Sequence, residues 1–351
     1  MSVSPVTGVQ PLRSDADLSS RLIELAERFT GRRVAVVGDV ICDRFLYGDP
    51  SRISRESPVL ILDYAGDTIV PGGAANAACN AGALGGEARL VGLVGRGDRD
   101  RRLFRALGPH VDRAHVVRPA GYRAPVKTRI LAGSPHTARQ QVVRIDHPAD
   151  LRDAAAAAAA LEEAALAAVA DCDAVLVSDY GSGLVTPALF QKITGAVGGS
   201  VRRRSTPVLI DSRHNLAAFR GATACTPNES EAERMAGFPI GDDEEALERA
   251  GRSILQRSAT RGVVVTRGSR GMALFVRGQR TDHVPIHGTD EVTDVTGAGD
   301  TVIATLTLAL AAGASLYEGA RLANYAAGLV VMKRGTATVT GDELIAAIRA
   351  D

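Results

Sequence analysis

The chain reads as an α/β protein with a mostly parallel central sheet, helices on both faces and a small β-sheet lid. Short apolar runs such as Val34-Ala35-Val36-Val37, Ala174-Val175-Leu176-Val177 and Pro207-Val208-Leu209-Ile210 have the character of strands buried on both faces of a parallel sheet. Helix-patterned stretches lie between them, and such repeated alternation places helices on both sides. Two charge-rich segments, about 44–70 and 119–147, break the rhythm and read as strands of a smaller exposed sheet. No self-similar period is visible, so a solenoid is excluded.

Taken in order, residues 1–20 are polar, carry Pro5 and Pro11, and read as a flexible tail without the apolar core of a signal peptide. One domain over 21–351 follows. Arg21 to Phe29 is a short amphipathic helix stopped by Gly31, and Val34–Val37 is a buried strand. Gly38-Asp39 then falls at the carboxyl end of that strand, where open α/β sheets bind ligands. Ile53, Val59–Leu62 and Ile69 belong to the first lid segment; Val126, Ile130, Val142, Val143 and Ile145 belong to the second. Between them come a small-residue helix at Ala74–Leu84, a strand at Ala88–Val94 and a helix at Arg99–Leu107. The alanine run from Ala154 predicts a helix reaching Ala170, since Ala is the strongest helix former. Thr186-Pro187 supplies an N-cap and an N1 proline. Ala222–Thr226 leads into a helix near Asn228, and strands are predicted at Gly262–Thr266 and Met272–Val276.

Composition narrows the function. Lys and Arg number 41 against 40 Asp and Glu, leaving a net charge of +1, so no electrostatic pull toward nucleic acid or membrane is expected. Arg202-Arg203-Arg204 reads as a solvated loop. Cys42, Cys79, Cys172 and Cys225 have no paired spacing, which argues against a zinc site or a disulfide scaffold and fits a reducing, cytoplasmic setting. The apolar stretch Val302–Gly313 is too short to span a bilayer and reads as a buried helix.

The richest segment is Asp294-Val295-Thr296-Gly297-Ala298-Gly299-Asp300, which runs into an apolar helix. Unpartnered amides at a helix start suit an anion, and glycines let it approach. A carboxylate there is unwelcome beside an anion unless it takes a proton, which points to phosphoryl transfer onto an alcohol with Asp300 as base. The plainer reading is a turn whose Asp complements the helix dipole. Gly72-Gly73-Ala74-Ala75-Asn76 offers a close backbone approach and an amide suited to sugar hydroxyls, or merely a turn. Asn228-Glu229-Ser230-Glu231 matches a capping box, and an early carboxylate there also suits hydrated Mg²⁺. Thr266 to Gly271 is a glycine-bounded turn fit for a nucleotide or for a bare hairpin. No P-loop pattern is present.

Together these segments resemble the two signatures of the ribokinase-like (pfkB) sugar kinases, over about Arg33 to Thr340. Gly38-Asp39-Val40, Asp43-Arg44, Ser51–Ser54, Val177-Ser178-Asp179-Tyr180, Arg220–Thr223 and Thr226-Pro227-Asn228 are most similar to the branch of D-glycero-β-D-manno-heptose 7-phosphate kinases. The resemblance implies ATP-dependent transfer to the anomeric 1-hydroxyl of that sugar, Mg²⁺, and a homodimer joined through the lid. It assigns Asp300 as base and Gly297, Ala298 and Gly299 as the anion hole. It places Asp43, Gly72, Gly73, Asn76 and Asp179 on the sugar. Asn228 and Glu231 fall near Mg²⁺ and the phosphates, with Thr266, Gly268, Gly271 and Asn324 along the nucleotide. Asp294 and Thr296 match a region binding a monovalent cation, K⁺, in relatives.

A phosphorylated sugar needs cations, and Arg52, Lys127, Arg129, Arg144 and Arg213 are the local supply, with at least two expected to converge. The branch usually has Asp-Pro-Lys where this chain has Asp211-Ser212-Arg213, which keeps charge but not geometry. Thr305 replaces a small residue, with an effect expected on packing alone. A fused nucleotidyltransferase domain, frequent in the branch, is not expected within the chain as it stands. Alternatives are a ribokinase or fructose-phosphate kinase of the same fold, or a catalytically silent sugar-binding regulator.

Overall fold

A computed structural model describes residues 15–133, 139–149, 154–198, 206–288, 294–333 and 335–351. The Arg202–Arg204 run, residues 1–14 and part of the second lid segment lie outside it. The first helix, α1 (Asp15–Glu27), starts earlier than Arg21, so a tail over 1–20 is corrected at its end: Leu18 joins Leu22 and Leu25 in the core. The three follow helical spacing, and the buried stripe overrides the polar composition.

Among the described residues the main sheet has ten strands. Its centre is β1 (Arg33–Gly38), flanked in parallel by β4 (Glu87–Leu93) and β9 (Ala174–Asp179). From β9 the sheet continues in parallel through β10 (Val208–Ser212), β11 (Ala224–Cys225) and β12 (Gly262–Thr266). It ends in two antiparallel strands, β13 (Met272–Val276) and β14 (Asp282–Val284). Two-residue strands β5 (Val111–Asp112) and β6 (Val116–Val117) extend β4. The centre of the sheet is buried on both faces because Val34–Val37 in β1 and Ala174–Val177 in β9 are unbroken apolar runs, whereas β4 carries the partly exposed Arg89.

Chain order reverses at β1, whose later neighbours fall on opposite sides. The crevice beyond the carboxyl ends of β1 and β9 is therefore the switch point where such sheets bind ligands. Asp39 and Tyr180 follow those two ends directly.

The lid is a separate four-stranded sheet in the order β3 (Leu60–Gly73), β2 (Val40–Ile53), β7 (Val126–Ala132), β8 (Gln140–His147). Its strands outrun the predicted segment: β2 begins one residue after Asp39, and β3 ends on Gly73. The glycine motif is thus the end of a lid strand. Register pairs Asp43 with Lys127 and Phe45 with Arg129, and β8 sets Asp146 and Arg144 opposite those two basic residues. With a strand period of two, all six share one face.

Helix α2 (Ala74–Ala83) leaves β3 and packs on α8 (Ala298–Ala311), while α8 also lies against β9 and β10. Small residues on α2 permit the close approach, and α8 is buried through most of its length. Two further helices flank them, α9 (Leu316–Val331) and α10 (Gly341–Ala350), each started by a complete capping box. The remaining helices are α3 (Asp98–Ala106), which packs on lid strand β3, α4 (Ala154–Val169), which packs on β1 and β4, α5 (Pro187–Gly198) beside α4, and the pair α6 (Glu229–Ala236) and α7 (Glu244–Arg257) against β12. No helix of the described residues is long and apolar enough to cross a membrane.

Candidate active site

Asp300 sits in the first turn of α8, 4% exposed. Asn76 Nδ2 donates to one carboxylate oxygen at 2.8 Å and the Tyr180 hydroxyl to the other at 2.9 Å. Burial pushes the carboxyl up to about 6, while these two donors and the charge of Arg213 hold it lower than burial alone would. A group poised there is ionised at neutral pH yet able to take a proton. Asn76 is itself fixed: Asn80, one helical turn on, donates to its side-chain oxygen at 3.1 Å, and Thr301 donates to Asn80 at 2.9 Å. Thus α2 and α8 are joined by a polar chain that fixes the amide orientation.

Gly297, the N-cap of α8, has φ +83°, and a Cβ there would lie 2.6 Å from Asn76 Nδ2. Only glycine suits both demands. Gly73 has φ +60°, and a Cβ would meet the Asp39 carbonyl oxygen at 2.4 Å. Each glycine motif is therefore required by the close approach of α2, β2 and α8. The Ala298 amide donates back to Val295 O at 3.2 Å, which narrows the expected Gly297–Gly299 anion hole. The next amides of the first turn lack intrahelical partners, and the space around Gly299 is open.

Asp39 and Asp179 organise the floor. Asp39 is fully buried and accepts from the Tyr180 amide at 2.7 Å and from Ser182; burial pushes its carboxyl up despite these bonds. Asp179 accepts from Ser212 Oγ at 2.7 Å and the Gly181 amide at 2.9 Å, so one oxygen ties it to the end of β10 and the other braces the loop after β9.

The five predicted cations separate. Arg129 is buried in an ion pair with Asp43, and each neutralises the other. Arg144 is exposed and pairs with Asp146 at 2.9 Å, while Arg52 is exposed near the far end of β2. Lys127 and Arg213 converge: Nζ lies 4.7 Å and the guanidinium carbon 4.1 Å from the centre of the Tyr180 ring. Burial and the charge of Arg213 pull the Lys127 ammonium below its ordinary range.

Toward the opposite edge, Asn228 and Glu231 form the full capping box: the Asn228 side chain accepts from the Glu231 amide, and Glu231 Oε2 accepts from the Asn228 amide, both at 2.9 Å. Asn228 also bridges to Thr266. Asp211, between this helix and Asp300, is pushed up to about 8 by burial and by the charges of Glu231 and Asp300. Gly268 opens and Gly271 closes a short turn after Thr266, fastened by Arg267 and Arg270 to Glu229. Asn324 is buried on α9 and donates to Pro285 O at 2.7 Å. The Asp294 carboxylate accepts from the amides of Thr296 and Gly335 at 2.8 and 3.1 Å, joining the approach to α8 with the segment after α9. Buried Thr305 donates to Thr301 O at 2.8 Å, so its hydroxyl is satisfied within the helix.

A family model described as pfkB family carbohydrate kinase matches residues 32–342. The chain belongs to the pfkB family of carbohydrate kinases. This kinase is 43% identical over 318 residues to a protein named Bifunctional protein HldE from Azorhizobium caulinodans, covering 90% of this chain and 64% of that protein. It is 41% identical over 332 residues to the protein of that name from a Caulobacter species, covering 93% and 65%. It therefore spans slightly under two thirds of the length of these relatives. Ribokinase of Arabidopsis thaliana, complexed with ribose and ATP, superposes with a TM-score of 0.69 at 20% identity, covering 91% of this chain and 99% of that one. Phosphofructokinase-2 of Escherichia coli, in complex with fructose-6-phosphate, gives 0.69 at 19%, covering 92% and 99%. These likenesses establish the ribokinase-like fold, including the second small sheet.

Asp300, Asn76 and the glycines that meet here are the residues the sequence singles out. Tyr180 and Asp211 have no role in that reading, and Asn80 does not figure in it. Tyr180 and Asp211 stand inside the motifs Val177–Tyr180 and Asp211–Arg213, and Asn80 carries a local signal of its own, standing four residues from Asn76 on the same helical face.

Proposed function

We propose that this kinase transfers the γ-phosphoryl group of ATP to the anomeric 1-hydroxyl of D-glycero-β-D-manno-heptose 7-phosphate, giving the 1,7-bisphosphate and ADP. The observation that carries phosphoryl transfer is the buried Asp300 carboxylate, poised near 6 at the glycine-led start of α8 and beside the Gly72–Asn76 motif. The choice of sugar rests on the heptose-kinase motifs.

Asp300 accepts the proton of the attacking hydroxyl as its oxygen bonds to phosphorus and the bond to the ADP oxygen breaks. First-turn amides of α8 offset the negative charge shared by the phosphoryl oxygens. Gly72, Gly73 and the Asp43–Arg129 pair form the sugar wall. Lys127 and Arg213 supply positive charge for a phosphorylated acceptor. Thr266 and Gly268 border the nucleotide, with Asn324 beneath it.

Asn228 and Glu231 are the candidates for Mg²⁺. The second oxygen of Glu231 takes no donor among the described residues, and its charge already weighs on Asp211, so a hydrated dication fits there. Bound Mg²⁺ would offset phosphate charge. Beside Gly335, whose amide bonds Asp294, the Thr336 hydroxyl is buried without a hydrogen-bond partner, and its oxygen with those of Asp294 and Thr296 is a set open to a monovalent cation such as K⁺. A homodimer through the lid is supported by Leu60, Val143 and Ile145, which stay 51%, 47% and 46% exposed on that sheet. Light scattering of wild type against a variant with these three changed to Ser tests it. ATP-dependent carbohydrate kinase chemistry supports a cytoplasmic setting.

An ATP-consumption panel tests the acceptor: heptose 7-phosphate, fructose 6-phosphate, ribose and adenosine, with and without K⁺. The highest kcat/KM is expected for heptose 7-phosphate. A higher value for another acceptor overturns the sugar assignment, and binding without turnover overturns the kinase reading.

A further inference from the structure

Tyr180 stands between the lid and the carboxylate proposed as base. Its hydroxyl donates to Asp300, and its amide donates to Asp39 Oδ2, so both ends of the residue are tied. The ring between them takes Lys127 from lid strand β7 on one contact and Arg213 from the end of β10 on another. Two like charges are drawn to one small region because an aromatic face attracts cations. A serine or threonine hydroxyl could in principle donate to Asp300, but neither would provide this surface.

We propose that Tyr180 is a positioning residue that couples the placement of the lid to the orientation of Asp300, with Lys127 and Arg213 held on its ring as the link. This rests on the reading of Asp300 as base. One carboxylate oxygen is held by Asn76 from α2 and the other by Tyr180, so the plane of the carboxylate is fixed from two directions. Each oxygen keeps a lone pair for the substrate hydroxyl. Because β7 belongs to the lid, a lid displaced from the crevice takes Lys127 off the ring and releases one constraint on the phenol. The charged and titratable groups facing Asp300 are Tyr180 after β9, Asp211 from β10, Arg213 just past the end of β10, and Asp43 from β2.

The test compares Tyr180→Phe, which keeps the ring, with Tyr180→Leu, which loses it. The acceptor is heptose 7-phosphate, or the best acceptor of the panel, with rates read between about pH 5 and 9. Loss of a donor to the carboxylate should move the acid limb of kcat/KM up by about one unit in Tyr180→Phe and lower kcat about tenfold, with KM little changed. Tyr180→Leu should add a rise in acceptor KM. Lys127→Met should lower kcat in the wild-type background and much less in Tyr180→Leu, since the link is already broken. An unmoved acid limb in Tyr180→Phe, or full additivity of Lys127→Met with Tyr180→Leu, overturns the proposal. Titration of the Asp300 carboxyl by NMR in folded Tyr180→Phe should show the same upward shift without turnover, and an unshifted carboxyl overturns the proposal equally. Full activity of Asp300→Asn would instead remove the base reading itself. An inactive Asp300→Asn beside an unaltered Tyr180→Phe would remove only the role given to Tyr180.

Discussion

Asp300→Asn should lose turnover and gain stability. The carboxyl is raised from an ordinary 3.8 to about 6 in the folded protein, chiefly by burial. A shift of that size corresponds to about 3 kcal/mol between protonation states, taking roughly 1.4 kcal/mol per unit. The sign follows from the raised folded value. The native carboxyl binds its proton more tightly than the unfolded one, so the stabilising contribution is complete below about 3.8 and lost as pH rises through about 6. At neutral pH the wild type therefore carries a buried charge that Asn lacks. The amide can face its oxygen to Asn76 and its nitrogen to the Tyr180 oxygen, so both hydrogen bonds have a neutral counterpart. With unfolding entropy of about 2.1 cal/mol/K per residue over 351 residues, up to about 3 kcal/mol raises Tm by roughly 4 °C. Loss of the base should lower kcat by about 10²–10⁴-fold with ATP and sugar binding retained. Calorimetry at about pH 7.5 and about pH 4.5, paired with steady-state rates, checks both halves; the Tm gain should shrink at the lower pH. Near-normal kcat would refute Asp300 as base. Lost kcat without a Tm gain at neutral pH would refute the claim that its charge is held against a burial penalty.

The wild-type acid limb of kcat/KM is expected near pH 6, rising as Asp300 ionises; a limb near pH 4 in a pH–rate profile would contradict the buried base. Gly297→Ala must place a Cβ 2.6 Å from Asn76 Nδ2 at φ +83°, so it should lower stability by about 1–2 kcal/mol from backbone strain and cut kcat by about tenfold or more as Asn76 is displaced. Denaturant unfolding and turnover of Gly297→Ala read the two effects. Arg129→Leu leaves Asp43 buried without its cation and should destabilise by about 3–5 kcal/mol, whereas Arg144→Leu on the exposed edge should change stability by less than about 1 kcal/mol. Equal unfolding midpoints for these two variants would contradict the buried pair.

The parallel sheet, the existence of a second small sheet and the two glycine motifs were legible in the sequence, because each is written in local period and local backbone demand; the bounds of the lid were not, since β2 begins at Val40 and β3 ends on Gly73. Val34–Val37 must be buried on both faces wherever it lies, and a carboxylate just inside a glycine-led helix start asks for a reason on its own. The capping pattern at Asn228 was equally readable, and the box it predicts is present. What tertiary structure decided is which of these groups meet. Asn76 and Asp300 are 224 positions apart, and Tyr180 and Asp300 are 120 apart, so neither contact leaves a periodic trace. The cations illustrate the same limit: five basic residues look alike along the chain, yet lid register commits Arg129 to Asp43 and the packing of lid against sheet brings Lys127 and Arg213 to one ring. Charge is a property of the residue, but its use depends on desolvation and on which partner the fold brings within reach. Asp300 could be picked out from its helix start alone; its poise near 6 exists only because α2, β9 and α8 close around it.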